Sequence, residues 1–166
     1  MILMASISST GIRPGTTGRR RREMAMAFVG THEHSLDVKG RLVLPAKFRS
    51  HFSGDAYLTM YAGCIALWTP ESFDAMAARL KEQVRNGEVE AQAYRALAPS
   101  SELVRPDAQG RVMISERLRE HASLEHEVAV CGALDRIEIW NPTRWAAVAQ
   151  GLNQSLADAF LDGAGI

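Results

Sequence analysis

The nonapeptide LDVKGRLVL at residues 36–44 has a counterpart, PDAQGRVMI, at residues 106–114. Asp, Gly and Arg occupy matching places in both stretches, at an offset of 70 residues. A second block, IALWTPESF at residues 65–73, pairs with IEIWNPTRW at residues 137–145, at an offset of 72. Two ordered blocks that recur together indicate a tandem duplication, so we expect a fold built from two similar units.

Both units have the same local pattern. The Asp-x-x-Gly segment predicts a turn, because Asp can hydrogen-bond the backbone two residues on and Gly tolerates a positive φ. The strand that follows alternates, with Leu42 and Leu44 on one face and Arg41 and Val43 on the other. We expect a short helix next, anchored by Phe48 in the first unit and by Leu118 in the second.

Start and stop signals place the remaining helices. Thr69-Pro70 and Asn141-Pro142 each combine a capping residue with proline at the first helical position. Gly54 is predicted to close the short helix of the first unit, and Asn86-Gly87 the long one. A further helix is predicted over 88–98, and one more short helix over 153–162.

The predicted organisation has five parts. A basic leader rich in Ser, Thr, Gly and Pro comes first, and it is expected to be disordered or to precede the true translation start. Two β-rich units follow, separated by a helical linker and ended by a helical tail. The boundaries are residues 1–25 for the leader, 31–73 and 102–145 for the units, 74–101 for the linker and 146–166 for the tail.

The charge of the chain is balanced only in sum. There are 19 basic and 19 acidic residues in 166, but the first 23 residues hold five arginines and one glutamate. The rest therefore has a net charge of −4, which disfavours a nucleic-acid partner if it is read without regard to position. Locally the balance reverses, because residues 36–51 carry four cations and only one acid.

Composition excludes several other classes of protein. No apolar run approaches the roughly 20 residues that span a bilayer, so no membrane partner is expected. Two distant cysteines, Cys64 and Cys131, fit buried thiols in a reducing cytoplasm better than a disulfide framework. The three tryptophans lie in matched apolar contexts and are expected in the core; they are Trp68, Trp140 and Trp145.

No pattern of an enzyme appears in the sequence. Nucleophile elbows, zinc-protease motifs and Gly-rich phosphate loops are missing, so neither a cofactor nor a small-molecule substrate is predicted. His32 and His34 with Asp37 share the residue types of a metal site, but no third ligand has suitable spacing. We therefore expect solvated surface there and no metal.

The segment from Phe28-Val29-Gly30 through residues 36–49 resembles the first half of the bacterial MraZ family. Asp107 and Arg111 match the second copy of that family's Asp-x-x-x-Arg signature. The resemblance implies an α+β fold of two tandem AbrB-like β-hairpin units, interleaved into a swapped-hairpin β-barrel with flanking helices. It also implies a cytoplasmic, nucleoid-associated transcriptional regulator of the division and cell-wall gene cluster. Such a regulator binds repeated G-containing elements of double-stranded promoter DNA as a ring-shaped homo-oligomer.

On this interpretation the cations of the first unit contact DNA. Arg41 would recognise guanine in the major groove, and Lys39 and Arg49 would contact phosphates. Lys47 and Arg111 complete the candidate set, with the second unit weighted lower because Gln109 replaces Lys39. The turn residues of the two units are Asp37 with Gly40 and Asp107 with Gly110.

Two alternatives remain open at this point. The Asp37–Arg41 and Asp107–Arg111 spacings equally fit internal salt bridges that fix two hairpins, and both interpretations can hold together. The competing function is a ring-forming scaffold that binds another protein and has no specific DNA site.

Overall fold

The structure of the chain is a computed structural model that describes residues 28–163. These residues form an α+β fold. The predicted leader at 1–25 lies outside the described residues. The first unit contributes β1 (Thr31–Ser35), β2 (Arg41–Val43), α1 (Ala46–Arg49), β3 (Ala56–Met60), β4 (Ile65–Trp68) and α2 (Pro70–Arg85). Helix α3 (Ala91–Leu97) leads to β5 (Ser101–Val104), β6 (Arg111–Met113), α4 (Glu116–His121), β7 (Glu127–Gly132), β8 (Ile137–Trp140) and α5 (Pro142–Leu161).

The main sheet has six antiparallel strands in the order β1-β7-β8-β4-β3-β5. Each unit places its first strand on the other: Thr31 in β1 pairs with Cys131 in β7, and Val104 in β5 pairs with Ala56 in β3. The order is unchanged when the units are exchanged, so the units are related by a pseudo-two-fold axis. Strands β1 and β5 are the edges of an open sheet, and residues 28–163 form no closed barrel.

A separate two-stranded ribbon is formed by β2 and β6, one strand from each unit. Leu42 lies opposite Val112 in its antiparallel register. The pairing continues into the turns, since the Leu44 N–H donates to the Gly110 carbonyl at 2.9 Å and the Ile114 N–H donates to the Gly40 carbonyl at 3.0 Å. The two units therefore contribute equally to this ribbon.

The inward face of the ribbon is part of the hydrophobic core. The side chains of Leu42, Leu44, Val112 and Ile114 are fully buried, which confirms the predicted alternation. They belong to one cluster with side chains from both units, including the anchors Phe48 and Leu118. The same pattern that selects the inward side chains leaves Arg41, Val43, Arg111 and Met113 on the outward face.

The capping signals are confirmed. The Thr69 hydroxyl accepts from the Ser72 N–H at 3.2 Å, and the Asn141 side chain accepts from the N–H groups of Thr143 and Arg144. Both caps precede a proline at the start of their helix, as predicted from sequence. Helix α2 ends before Asn86-Gly87, where Gly87 has φ +75°.

Three helix predictions need correction. Helix α1 ends at Arg49 with Ser50 as its C-cap, so Gly54 does not close it. Helix α3 begins at Ala91 instead of residue 88. Helix α5 runs unbroken from Pro142 to Leu161, so there is no separate helix over 153–162. A glycine inside a helix costs only about 1 kcal/mol relative to alanine, which the many alanines of α5 tolerate.

The predicted burial of tryptophans and cysteines is also confirmed. Trp68 and Trp140 are buried, and Trp145 is half-buried against Trp140. Burial raises the pKa of the Cys131 thiol to about 11 and raises the pKa of Cys64 as well. Both thiols are therefore protonated at neutral pH and act as small apolar groups in the core.

Residues 42 and 43 give a matched test of this packing. Leu42→Ala should lower the free energy of unfolding by about 2–5 kcal/mol, because it leaves a cavity between the ribbon and the sheet. Val43→Ala removes a side chain from the outward face of the same strand and should cost no more than about 1 kcal/mol. Equilibrium urea unfolding of both variants measures the difference. Equal losses would contradict the assigned faces of β2.

Candidate functional site

The Asp-x-x-Gly turn before β2 is organised by the Asp37 carboxylate. One oxygen, Oδ1, accepts hydrogen bonds from the backbone N–H groups of Lys39 at 2.9 Å and Arg41 at 3.0 Å. The other oxygen, Oδ2, accepts from the side-chain Nε of Arg41 at 2.6 Å. One carboxylate therefore fixes both the backbone of the turn and the side chain of the arginine that follows it.

The turn before β6 repeats this arrangement. Asp107 Oδ1 accepts from the N–H groups of Gln109 at 2.9 Å and Arg111 at 3.0 Å, and Oδ2 accepts from Arg111 Nε at 2.6 Å. The replacement of Lys39 by Gln109 leaves the geometry unchanged, because that position contributes only its backbone N–H. The two ion pairs that the sequence left open are thus present, one at each turn.

These contacts lower the pKa of both carboxyls. The largest cause is the backbone N–H of Arg41 for Asp37 and of Arg111 for Asp107, and the side-chain hydrogen bond from the same arginine adds to it. Because folding lowers the pKa of each carboxyl, both ion pairs stabilise the folded state at any pH above the unfolded-state pKa, which includes neutral pH. This contribution is lost as the pH falls through the folded-state pKa.

The ion pairs leave most of each guanidinium free. Guanidinium has five N–H donors, of which the Asp uses only the one at Nε. Within residues 28–163, the terminal amino groups of Arg41 and Arg111 have no hydrogen-bond partner. The two side chains keep 27% and 29% of their surface exposed. The structural interpretation of the pairs therefore holds, and it leaves donors available to a ligand.

The outward face of the ribbon is short and symmetric. Arg41 lies opposite Met113, and Val43 lies opposite Arg111. Met113 is 48% and Val43 39% exposed. The ribbon thus presents two guanidinium groups on a diagonal, each beside an exposed apolar side chain.

A second pair of arginines crosses between the units. Arg49 of α1 lies over Gly110, where an added Cβ would come within 2.3–2.9 Å of Nε, Cδ and Cγ of the arginine. Its Nη2 donates to the Leu44 carbonyl at 3.1 Å. Arg119 of α4 lies over Gly40 in the same manner, 3.1 Å from an added Cβ at its Nε. Each glycine therefore supplies both a positive φ and the room for an arginine of the other unit.

The structure divides the predicted cations into three groups. Lys39 and Arg41 lie at one end of the ribbon, and Arg111 and Arg49 lie at the other. Lys47 lies elsewhere, with its Nζ 3.0 Å from the place of a Cβ on Gly30 and 5.2 Å from the centroid of the Phe48 ring.

Arg119 was not among the candidates, although it occupies the position of Arg49 in the other unit. The repeat offset of 70 residues already pairs the two arginines, so the sequence contained the signal. Its contact with Gly40 depends on the exchange between units, which no local pattern reveals.

The histidines of β1 differ from the solvated surface predicted for them. His32 is half-buried, its ring packs edge-on against Phe48 at 5.4 Å, and its Nε2 is buried without a hydrogen-bond partner in the described residues. Burial is the main cause that lowers the pKa of His32, followed by the charges of Lys47 and His34. Within residues 28–163, no three His, Cys, Asp or Glu side chains are grouped to hold a metal ion.

Comparison with known proteins shows to which family the chain is related. The profile of a family described as "MraZ protein, putative antitoxin-like" matches residues 27–95 and again residues 100–162. The chain belongs to the MraZ family. The double match agrees with the duplication inferred from the two nonapeptides.

The following relatives come from bacteria and match most of the chain. The Transcriptional regulator MraZ of Cutibacterium acnes is 36% identical over 132 residues, which is 79% of this chain and 93% of that protein. The Transcriptional regulator MraZ of Corynebacterium efficiens is 40% identical over 141 residues, 82% of this chain and 98% of that protein. MraZ is a family of transcriptional regulators and not of enzymes, as predicted. Among the described residues, no helix has the length and apolar character to cross a membrane.

Two contacts from Arg41, one from its backbone and one from its side chain, lower the pKa of Asp37, and a mutation can separate them. In the Arg41→Ala variant, the pKa of Asp37 should rise but stay below its ordinary value, because the backbone N–H of residue 41 still donates to the carboxylate. Asp107 in the same protein is the internal control and should not change. Titration of the carboxyl carbons by NMR measures both. A return of Asp37 to an unperturbed pKa would contradict the dominant backbone contact.

Proposed function

We propose that this chain is a sequence-specific DNA-binding transcriptional regulator that contacts its operator through the outward face of the β2–β6 ribbon. The observation that carries the proposal is the mirrored pair of arginines, each fixed at Nε by an aspartate and each with free terminal amino groups. Sequence recognition requires donors held in a defined orientation, which these two turns supply.

The dimensions of the ribbon suit the major groove. That groove is about 12 Å wide and admits a two-stranded β-ribbon, whose strands lie about 4.8 Å apart. Arg41 and Arg111 would each donate two hydrogen bonds to O6 and N7 of a guanine, a contact that gives about 1–3 kcal/mol of discrimination. Val43 and Met113 lie beside them and suit contact with thymine methyl groups.

The surrounding cations suit phosphate contacts. Lys39 is exposed at the tip of the first turn, and Arg49 and Arg119 flank the ribbon at its two ends. Lys47 lies apart from the ribbon, so its role would be with a more distant phosphate. Since the rest of the chain after residue 23 is acidic, binding depends on this local arrangement and not on net charge.

Assembly would supply the affinity that one chain lacks. A single ribbon offers few base contacts, whereas tethered copies on repeated sites gain about 10²–10⁴ in avidity. We therefore include in the proposal a ring-shaped homo-oligomer, nucleoid association and repeated G-containing promoter elements of the division and cell-wall gene cluster. These parts, like the AbrB-like origin of the two exchanged hairpin units, rest on the family resemblance; the closed barrel that the resemblance implied does not form in residues 28–163.

The alternative is a ring-forming scaffold in which both Asp–Arg pairs serve only the turns. The exposed apolar side chains of α5 favour a protein contact of some kind. The two functions differ in what Arg41 does, because a scaffold does not need its terminal amino groups.

Arg41→Ala tests the proposal against the scaffold. On the promoter fragment upstream of the gene for this chain, affinity should fall about 5- to 150-fold, which corresponds to the loss of one bidentate guanine contact. Binding to a scrambled fragment should fall much less. Arg95→Ala, on the exposed face of α3, removes the same charge away from the ribbon and should leave the specificity ratio unchanged. Fluorescence anisotropy at fixed salt measures all four values.

Lys39→Ala provides the complementary measurement. It should weaken both fragments alike and reduce the slope of log affinity against log salt by about 1, as expected for a phosphate contact. Specific binding that survives Arg41→Ala unchanged would refute base recognition by the ribbon and favour the scaffold.

A further inference from the structure

Helix α4 of the second unit places Arg119 over a turn of the first unit. Its Nε lies 3.1 Å and its Cζ 3.2 Å from the place of a Cβ on Gly40. These two are the side-chain atoms nearest to that place, so the guanidinium lies flat over the glycine instead of pointing its terminal amino groups at it. Gly40 is therefore covered by a planar group that belongs to the other unit.

This flat contact leaves a hydrogen-bond donor unsatisfied. Nε of Arg119 is buried and has no hydrogen-bond partner among the described residues. Buried polar groups are normally paired, and a buried donor without an acceptor lowers the stability of the folded state. The contact therefore indicates a role other than stabilising the fold.

Arg119 is held at its base by a fixed helix. The neighbouring Leu118 is fully buried in the core, and the Ser115 hydroxyl caps the helix by accepting from the Leu118 N–H at 3.4 Å. At the other end of α4, His121 Nε2 lies 2.7 Å from the carbonyl oxygen of Tyr61 in the first unit. The helix thus keeps one place relative to the first unit, and it carries the arginine with it.

The covered glycine lies inside the turn that fixes Arg41. The Gly40 N–H donates to the Asp37 carbonyl at 2.9 Å, and the Gly40 carbonyl accepts from the Ile114 N–H at 3.0 Å. The residues on both sides of the glycine, Lys39 and Arg41, donate their N–H groups to the Asp37 carboxylate. A shift of Gly40 would therefore move the backbone and the side chain of Arg41 together.

The first unit makes the corresponding contact with the second. Arg49 covers Gly110, where an added Cβ would lie 2.3 Å from the arginine Nε. The Gly110 N–H donates to the Asp107 carbonyl, and the Gly110 carbonyl accepts from the Leu44 N–H, both at 2.9 Å. Arg49 has one hydrogen bond that Arg119 lacks, from Nη2 to the Leu44 carbonyl. The pseudo-two-fold axis thus relates two contacts in which an arginine of one unit covers the turn of the other.

We propose that Arg119 and Arg49 are positioning residues, each of which fixes the base-contacting arginine of the other unit through the glycine that it covers. Arg119 acts on Arg41, and Arg49 acts on Arg111. The inference rests on the proposed function of the ribbon and adds a second role to the phosphate contacts of these two residues. A phosphate contact requires only a positive charge, which lysine also supplies, whereas the flat cover requires the planar guanidinium.

Hydrogen exchange of the free chain tests the positioning without DNA. In Arg119→Lys, the N–H groups of Gly40 and Ile114 should exchange about tenfold faster, because their turn loses its cover. The N–H groups of Gly110 and Leu44 report on the other turn and should be unchanged. Equal acceleration at both turns would show a general loss of stability, and no acceleration would show that the arginine does not hold the turn. Either result would overturn the proposal.

Specific binding by pairs of variants tests which arginine is positioned. The specificity ratio, which is the affinity for the promoter fragment divided by that for the scrambled fragment, should fall about fivefold in Arg119→Lys. In an Arg41→Ala background, the same change should alter the ratio less than about twofold, because the positioned group is already gone. In an Arg111→Ala background the full loss should remain. Arg49→Lys should show the opposite dependence.

Arg117→Lys is the matched control on the same helix. The Arg117 guanidinium donates to the Pro99 carbonyl and to Glu102 instead of covering Gly40, so this variant should leave the specificity ratio and the exchange of the Gly40 N–H unchanged. A loss in Arg119→Lys that persists in full in the Arg41→Ala background would overturn the positioning role. A wild-type chain without preference for the promoter fragment would contradict the proposed function instead, and the exchange rates would still decide whether the turn depends on its cover.

Discussion

The fold and the site both depend on the pairing of β2 with β6. Each strand has only three residues, and a strand pair of this length is not stable without packing. The ribbon is held because its inward side chains enter a core that both units build, and because the glycine carbonyl of each turn accepts from the strand end of the other unit. Neither unit can therefore form the ribbon alone.

The turn aspartates, unlike the core side chains, serve mainly to orient other side chains and not to stabilise the fold. Exposed ion pairs contribute little to stability. Asp37 and Asp107 instead restrict the rotamers of the arginines that follow them, since each holds both the backbone and the Nε of the same residue. An arginine restricted before binding loses less side-chain entropy when it meets a ligand, so these pairs favour recognition more than folding.

Local patterns in the sequence predicted much of this structure. The duplication, the buried faces of β2 and β6, both helix caps and the Asp-x-x-Gly turns depend on residues close together in the chain, and all agree with the structure. Contacts between residues far apart in the chain could not be predicted from these local patterns. Strand β1 reads THEHS, which carries no apolar signal for its pairing with β7, and the burial of His32 follows from that pairing. The contact of Arg119 with Gly40 likewise requires the exchange between units.

The central claim is that the outward face of the ribbon recognises guanine from the major groove. Methylation of guanine N7 places a methyl group where Arg41 and Arg111 would donate, so methylation interference on the promoter fragment tests the claim most directly. The account predicts that methylated guanines in the operator are depleted from the bound fraction, with no effect of methylation at adenine N3 in the minor groove. Equal binding of N7-methylated and unmodified fragments would contradict it.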